Sequence, residues 1–251
     1  MATLVDFGAM LNQRPMLGLA VAWPGAGVLE RVGGDWDWIW IDGQHGELDY
    51  RDIVDLVRAG NLLGKPVVVR VPSHEAGGIG RALDIGIDAI MVPTIDSAEQ
   101  ASRVVQAAKF PPLGNRSYGG RRTYDRLGPG YAHGIQPLLV CQIETPEGLA
   151  NVDEIAAVPG VDALFFGADD LALRWNLRMD QPRPAGRFDE AWAATAQACR
   201  KHGRIAGGVF ASPETLAEAA GKGYRLIAAA SVGALLMGAS AARAQEMRKL
   251  V

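Results

Sequence analysis

Several features that would assign this chain to a familiar class are missing. The 251 residues include two cysteines, Cys141 and Cys199, too few for a disulfide framework and consistent with a reducing cytosol. No apolar run reaches the roughly 20 residues of a membrane-spanning helix, and residues 1–17 lack the apolar core of a signal peptide. The formal net charge is −3, so no basic excess favours nucleic acid. The composition predicts a cytoplasmic protein that binds neither membrane nor nucleic acid.

A nucleotide-binding loop is also lacking. No G-x-G-x-x-G motif follows the first apolar run, and the stretch Gly77-Gly78-Ile79-Gly80 has the wrong spacing for phosphate and is typical of a flexible turn. We therefore expect no nucleotide cofactor.

What the sequence does contain is an alternation of short apolar runs with helix-like segments. Eight such runs predict a parallel sheet, and their number favours closure into a (β/α)8 TIM barrel, with an open doubly wound sheet as the alternative. The length of 251 residues is typical of one barrel domain, which we assign to residues 1–251. The predicted strands are 17–23, 38–42, 66–71, 89–92, 138–144, 163–167, 204–210 and 225–230. The predicted helices are 50–59, 79–86, 97–109, 148–158, 189–201, 213–221 and 232–250.

One connection, residues 110–136, is much longer than the few residues usual between a helix and a strand. It includes the arginine-rich stretch 116–122. A solvated surface loop is one interpretation, and a lid or a contact with a neighbouring subunit is the other.

Polar side chains gather where four of the predicted strands end. In a parallel barrel, functional sites form at the C-terminal ends of the strands. Strands two, three, five and six end in such residues, so we expect their side chains to converge. The candidates are Asp42, His45, Arg70, Gln142, Glu144, Asp169 and Asp170.

The acidic residues are the most informative of these. Alternation along a strand places Gln142 and Glu144 on one side and Cys141 and Ile143 on the other. Carboxylates at the ends of consecutive buried strands are unusual as core and are suited to a hard divalent cation. Asp169 and Asp170 follow the sixth strand; they can form a helix cap, but the buried strand favours at least one as a metal ligand.

Three further polar residues suggest acid–base chemistry. Arg70 has the parity of the apolar Val68 and should point inward, where a guanidinium needs anionic partners. It is either functional or paired structurally with a barrel carboxylate. Asp42 precedes His45 by three residues, and a carboxylate on one ring nitrogen would raise the basicity of the other. Asp84 lies in a predicted helix, and the residues alone give it no role.

Lysine is scarce, and none of the five lysines follows a predicted strand. Schiff-base chemistry is therefore not expected, and an enolate formed at this site would need a metal and an arginine to hold its charge. A glycosidase pair made by Glu144 and Asp170 is an alternative, although few aromatic residues lie near the strand ends. The lysines are Lys65, Lys109, Lys201, Lys222 and Lys249.

Together these motifs resemble the metal-dependent (class II) pyruvate aldolases of the 4-hydroxy-2-oxo-heptanedioate aldolase family. The similarity extends over nearly the whole chain. Each motif is modest, but their order and spacing are specific. The motifs are WIDGQHG at 40–46, VRVP at 69–72, LDIG at 83–86, VP at 92–93, QIET at 142–145 and GADDL at 167–171.

The resemblance implies a (β/α)8 barrel of the phosphoenolpyruvate/pyruvate type, whose last helix is exchanged between subunits of a homohexamer built from dimers. It implies that Glu144 and Asp170 bind Mg²⁺, Mn²⁺ or a similar ion such as Co²⁺. A 2-oxo acid would chelate that ion through its carboxylate and keto oxygens. Arg70 would stabilise the enolate oxygen.

The resemblance also assigns roles to the remaining candidates. His45, paired with Asp42, would transfer protons, and Asp84 would raise the basicity of His45. Gln142 and the backbone at Asp169 would contact the substrate. The chain departs from the family where Pro and a small residue usually precede the metal-binding aspartate, because Ala168 and Asp169 stand there. Gln44 also occupies a position that is often glutamate.

The expected enzyme is thus a class II aldolase that reversibly cleaves 4-hydroxy-2-oxo acids into pyruvate or hydroxypyruvate and an aldehyde, through a metal-stabilised enolate. One alternative is a lyase or phosphotransfer enzyme acting on phosphoenolpyruvate or another 2-oxo acid enolate; the missing phosphate loop argues against it. The other is a non-catalytic, metal-dependent binder of oxo acids. A tuned base at His45 would have no purpose in such a binder.

Overall fold

A closed barrel of parallel strands forms the centre of the molecule in the computed structural model, which describes residues 5–250. Each strand pairs with the next in sequence, and the last pairs with the first. The predicted barrel is confirmed, and the open doubly wound alternative is wrong. The strands are β1 (Met16–Val21), β2 (Trp38–Asp42), β3 (Val67–Arg70), β4 (Ala89–Val92), β5 (Leu138–Ile143), β6 (Ala163–Phe166), β7 (Ile205–Val209) and β8 (Tyr224–Ser231).

Helices surround this barrel, and several of them begin at a side-chain cap. Ser97, Thr145 and Ser212 each accept a hydrogen bond from a backbone N–H in the first turn of the helix that they precede. The helices are α1 (Phe7–Gln13), α2 (Ala26–Val32), α3 (Tyr50–Leu62), α4 (Ala76–Leu83), α5 (Ala98–Ala108), α6 (Arg121–Leu127), α7 (Pro146–Ala150), α8 (Val152–Ala157), α9 (Ala168–Arg174), α10 (Ala185–His202), α11 (Pro213–Lys222) and α12 (Val232–Arg248), with a 3-10 helix at Pro129–His133.

The sequence did not predict α1, α2, α6 or α9. Each has seven residues, which is two turns and too short for a 3.6-residue period to be recognised. The predicted helix 148–158 is divided into α7 and α8 at Asn151.

Strand side chains alternate between the barrel interior and the helical layer. Trp38 and Val68 pack inside the barrel, whereas Cys141 and Ile143 pack outward against the helices, as their parity predicts. α1 covers the N-terminal end of the barrel, where the Phe7 ring lies 6.3 Å from the ring of Trp38. The interior is thus filled beneath the C-terminal ends of the strands, which leaves those ends to form a site.

The long segment 110–136 lies at the N-terminal end of the barrel, because it joins the end of α5 to the start of β5. It is ordered by contacts with α3 and with the connection between α4 and β4. Arg122 donates to Asn61 Oδ1 at 2.8 Å, and Thr123 Oγ1 donates to the Asp84 carbonyl at 2.9 Å. A lid over this chain's own strand ends is therefore excluded, while a subunit contact stays a prediction.

The last helix, α12, leaves most of its surface exposed. Its buried residues are Val232 and Gly233 at its start, whereas Leu235, Leu236 and Met237 are exposed. Across residues 5–250, no helix combines the length and apolar character needed to cross a bilayer. The exchange of α12 between subunits stays a prediction.

Candidate active site

A cleft of about 410 Å³ opens at the C-terminal ends of the strands. Its inner wall contains Trp40 and Phe165, whose rings meet edge to face at 5.5 Å. Six of the eight residues proposed from the sequence line this cleft. They are His45, Arg70, Gln142, Glu144, Asp169 and Asp170.

Arg70 and Asp42 form a buried, two-pronged ion pair beside the cleft. The two residues are aligned on the neighbouring strands β3 and β2, and Arg70 Nε and Nη2 donate to the two Asp42 oxygens at 2.9 and 2.7 Å. Burial alone would raise the pKa of Asp42, but the hydrogen bonds and charge of Arg70 lower it on balance. Arg70 also lies 4.9 Å from the centre of the Trp40 ring, so its guanidinium is held in one orientation.

The expected hydrogen bond between Asp42 and the His45 ring is not formed among the described residues. Asp42 Oδ1 instead accepts hydrogen bonds from the backbone N–H groups of Gln44 at 3.1 Å and His45 at 3.3 Å. The aspartate therefore shapes the turn that carries His45, and its carboxylate is occupied by Arg70. His45 is exposed at the edge of the cleft.

Glu144 is the most deeply buried acid of the cleft, with 1% of its surface exposed. Its Oε1 accepts hydrogen bonds from Thr94 N at 2.9 Å and Thr94 Oγ1 at 2.8 Å, and its Oε2 accepts one from Gln142. Burial raises the pKa of Glu144, the hydrogen bond from Thr94 opposes that shift, and the charge of Asp170 adds to it. A cation placed between these two acids would offset both the burial of the Glu144 charge and its repulsion by Asp170.

Thr94 is a site residue that the sequence interpretation missed. It adopts a left-handed conformation with φ of 54°, which is unfavourable for a β-branched residue. In that conformation both its N–H and its hydroxyl reach Glu144. Its place just after β4, at the same edge as the other candidates, was the available signal.

Gly167 allows the close approach of β6 to the acidic residues. A Cβ at this position would lie 2.6 Å from the Glu144 Cβ and 3.0 Å from the Gln142 amide nitrogen. Only glycine fits here without displacing them. The chain then enters α9, where Asp170 forms an ion pair with Arg174 at 2.8 Å.

The donor set fits a hard divalent cation with an incomplete protein shell. Glu144 and Asp170 line the same cleft, and carboxylate oxygens are the preferred ligands of Mg²⁺ and Mn²⁺. Within residues 5–250 no group of three or more His, Cys, Asp or Glu side chains is positioned to hold a metal. The remaining ligands would therefore be water or substrate oxygens, as is usual for Mg²⁺.

Asp84 lies away from this cleft, so the role that the resemblance assigns to it is not achieved within one chain. It follows α4 and precedes β4, at the N-terminal end of the barrel. Its Oδ1 accepts a hydrogen bond from the buried Arg116 at 2.9 Å. Any action of Asp84 on His45 would require a second copy of the chain.

Asp169 lies at the rim of the cleft, with 75% of its side chain exposed, and forms an ion pair with Arg183. Arg183 also lines the cleft and was not among the predicted residues. It belongs to the irregular segment 175–184 between α9 and α10, where no periodic pattern indicates which side chains turn inward.

The fold and site together define a barrel enzyme with an arginine and two acids at its strand ends. Residues 30–239 match the model of the HpcH/HpaI aldolase/citrate lyase family, and the chain belongs to that family. It is therefore an enzyme of the carbon–carbon lyase class, an aldolase, as the resemblance predicts.

Individual relatives agree with this family. A 2-dehydro-3,6-dideoxy-6-sulfogluconate aldolase from Pseudomonas putida is 36% identical over 206 residues, 80% of this chain and 80% of the relative. A hydroxypyruvate/pyruvate aldolase from Delftia acidovorans is 35% identical over 200 residues, 77% of this chain and 73% of the relative. The crystal structure of a family member from Burkholderia cenocepacia has a TM-score of 0.88 at 29% identity, and the match covers 97% of this chain and 99% of that one.

Proposed function

We propose that this protein is a divalent-metal-dependent aldolase that reversibly cleaves 4-hydroxy-2-oxo acids into pyruvate or hydroxypyruvate and an aldehyde. The observation that carries the proposal is the presence of Glu144 and Asp170 in one cleft with Arg70. The similarity to a hydroxypyruvate/pyruvate aldolase supports the choice of donor. When bound by the two acids, Mg²⁺, Mn²⁺ or Co²⁺ supplies Lewis-acid polarisation of the substrate's keto oxygen.

Arg70 is suited to hold the oxygen on which negative charge develops. Asp42 accepts hydrogen bonds from its Nε and Nη2, while Nη1 donates to Gln142 Oε1 at 3.4 Å, and Arg70 lines the cleft. An N–H donor fixed before the reaction stabilises an enolate oxygen without reorganisation. Gln142 also donates to Glu144, so one amide links the arginine to the acid.

His45 is the candidate for proton transfer. In the cleavage direction it would accept the proton of the C4 hydroxyl while the C3–C4 bond breaks and its electrons form the enolate. The aldehyde then leaves, and a proton delivered to C3 yields pyruvate or hydroxypyruvate. An exposed imidazole at the cleft edge can exchange protons with solvent between these steps.

A chelator experiment tests the metal. We expect treatment with EDTA to abolish cleavage and added Mn²⁺ or Mg²⁺ to restore it, and we expect Asp170→Asn to weaken the restoration. Asp180→Asn is the matched control, because Asp180 is exposed and pairs with Arg178 outside the cleft. Full activity in chelator, or borohydride trapping of substrate on a lysine, would refute the mechanism.

Deuterium exchange tests enolate formation separately from cleavage. We expect the enzyme with Mn²⁺ to exchange the methyl protons of pyruvate in deuterated water, and His45→Asn to slow that exchange. A protein that merely binds oxo acids would catalyse no exchange.

We further propose a cytoplasmic, single-domain enzyme that assembles as a homohexamer of dimers. The exposed Leu235, Leu236 and Met237 on α12 support subunit contact, since an apolar helix face gains stability when it is covered. The two cysteines are buried and unpaired, which suits a reducing compartment. Light scattering coupled to gel filtration measures the assembly; a monomeric mass at micromolar concentration would contradict it.

A further inference from the structure

We infer that Arg183 is a specificity-determining residue that binds an anionic group on the acceptor aldehyde. The inference rests on the proposed aldolase function and extends it from the donor to the acceptor. It concerns the rim of the cleft, where the segment 175–184 passes beside α9.

The position of Arg183 is fixed from two sides. Its guanidinium lies 5.4 Å from the centre of the Phe188 ring, and the buried Phe188 belongs to α10. The guanidinium also forms an ion pair with Asp169, in the first turn of α9. The side chain is therefore held at the cleft instead of extending into solvent.

Among the cleft residues that the structure describes, Arg183 is the arginine whose ion-pair partner is not buried. The other arginine of the lining is Arg70, and Asp42 already accepts two of its donors in a buried pair. The partner of Arg183 is different, because 75% of the Asp169 side chain is exposed. Exposed ion pairs contribute little to stability, so a carboxylate of a ligand can replace Asp169 as the partner.

The rim beside Arg183 is apolar and suits a short aliphatic linker. Leu173 and Val209 both line the cleft and are 57% and 52% exposed. A donor acid held near Glu144 and Arg70 leaves this outer part of the cleft for the acceptor. The chemical class that fits is an aldehyde with a short carbon chain that ends in an anion.

The test compares two acceptors that differ in charge alone. Pyruvate and Mn²⁺ are combined with 4-oxobutanoate or with its neutral amide, 4-oxobutanamide, and the ratio of the two kcat/KM values is measured. We expect the enzyme to prefer the anion, and Arg183→Gln to lower the ratio about tenfold, the scale of one charged hydrogen-bonded contact. Arg183→Lys keeps the charge but loses the planar fork, so it should recover part of the preference.

Arg178→Gln is the matched control. Arg178 lies on the same segment, is exposed and pairs with Asp180, but it does not line the cleft. Its substitution should leave the ratio unchanged, and thermal unfolding of all three variants checks that the fold is retained.

Two results would overturn the inference while leaving the proposed function intact. If Arg183→Gln lowers kcat/KM equally for both acceptors, the residue only holds the segment in place. If neither kcat/KM value changes, the residue does not recognise the anion. Failure of the proposed function looks different, because wild-type enzyme would then neither condense pyruvate with either aldehyde nor exchange the methyl protons of pyruvate.

Discussion

Replacing Asp42 by asparagine should destabilise the protein by about 3 kcal/mol, the lower end of the cost of breaking a buried ion pair from one side. The pair is buried, since the Arg70 and Asp42 side chains are 8% and 12% exposed. Asparagine keeps one oxygen for the backbone N–H groups of Gln44 and His45, but it leaves the guanidinium without a compensating charge. The lower end of the range follows from that retained oxygen.

Urea unfolding followed by circular dichroism measures the loss. Asp55→Asn is the control, because Asp55 pairs with Arg58 at 2.8 Å on the surface, with side chains 49% and 62% exposed. Such exposed pairs contribute about 0–1 kcal/mol. The comparison separates the effect of burial from the effect of removing any aspartate charge.

The pH dependence gives an independent check of sign. The folded pKa of Asp42 is lowered, against the effect of burial, by Arg70. The stability from this carboxylate is therefore present above its unfolded pKa of about 4 and is lost as the pH falls through the folded pKa. The difference between wild type and Asp42→Asn should accordingly shrink at pH values below 4.

A double-mutant cycle with Arg70→Gln completes the experiment. The double variant should lose less than the sum of the single losses, because neither charge is then left alone. A loss for Asp42→Asn below 1 kcal/mol, or one equal to that of Asp55→Asn, would refute the reasoning. Purely additive losses in the cycle would do the same.

Three further outcomes are expected. Arg70→Ala should lower kcat by roughly 10² to 10³, the cost of one enolate-oxygen donor; an unchanged kcat would remove Arg70 from that role. Burial raises the pKa of Asp88 to about 6, so its contribution to stability is full below pH 4 and is lost as the pH rises through 6. In urea unfolding, the free energy of unfolding of Asp88→Asn should therefore rise by about 3 kcal/mol relative to that of wild type between pH 4 and 7. Parallel pH curves for the two proteins would contradict this. Gly18→Ala should cost about 1–3 kcal/mol in thermal unfolding, because its Cβ would lie 2.2 Å from the Trp38 ring; a wild-type midpoint would show that the ring moves freely.

Most of the barrel could be predicted because its strands are buried on both faces. Such strands are continuous apolar runs, and the predicted bounds of the second and fourth strands, 38–42 and 89–92, agree with β2 and β4. Helices of two turns, such as α1 and α9, carry too few residues for periodicity to mark them.

The candidate site was predictable as a set of positions, but not as a set of contacts. Parity indicated that Arg70 turns inward from β3 and that Gln142 and Glu144 share one side of β5, and the structure places all three at the cleft. The expected contact between Asp42 and the His45 ring is not among the hydrogen bonds of the described residues. Asp42 precedes His45 by three residues, which suggested a hydrogen bond to the imidazole. The alignment of β2 with β3 instead places the Asp42 carboxylate against the Arg70 guanidinium.

By itself the sequence determined the alternation of strands and helices, and with it which polar residues end the strands, because burial and strand parity are written into the order of residues. The tertiary structure alone decided the partners. The pairing of neighbouring strands placed Asp42 against Arg70 and Thr94 against Glu144, and the fold placed Asp84 at the opposite end of the barrel, beside Arg116. Those contacts join residues far apart in the chain, and strand register fixes them in space.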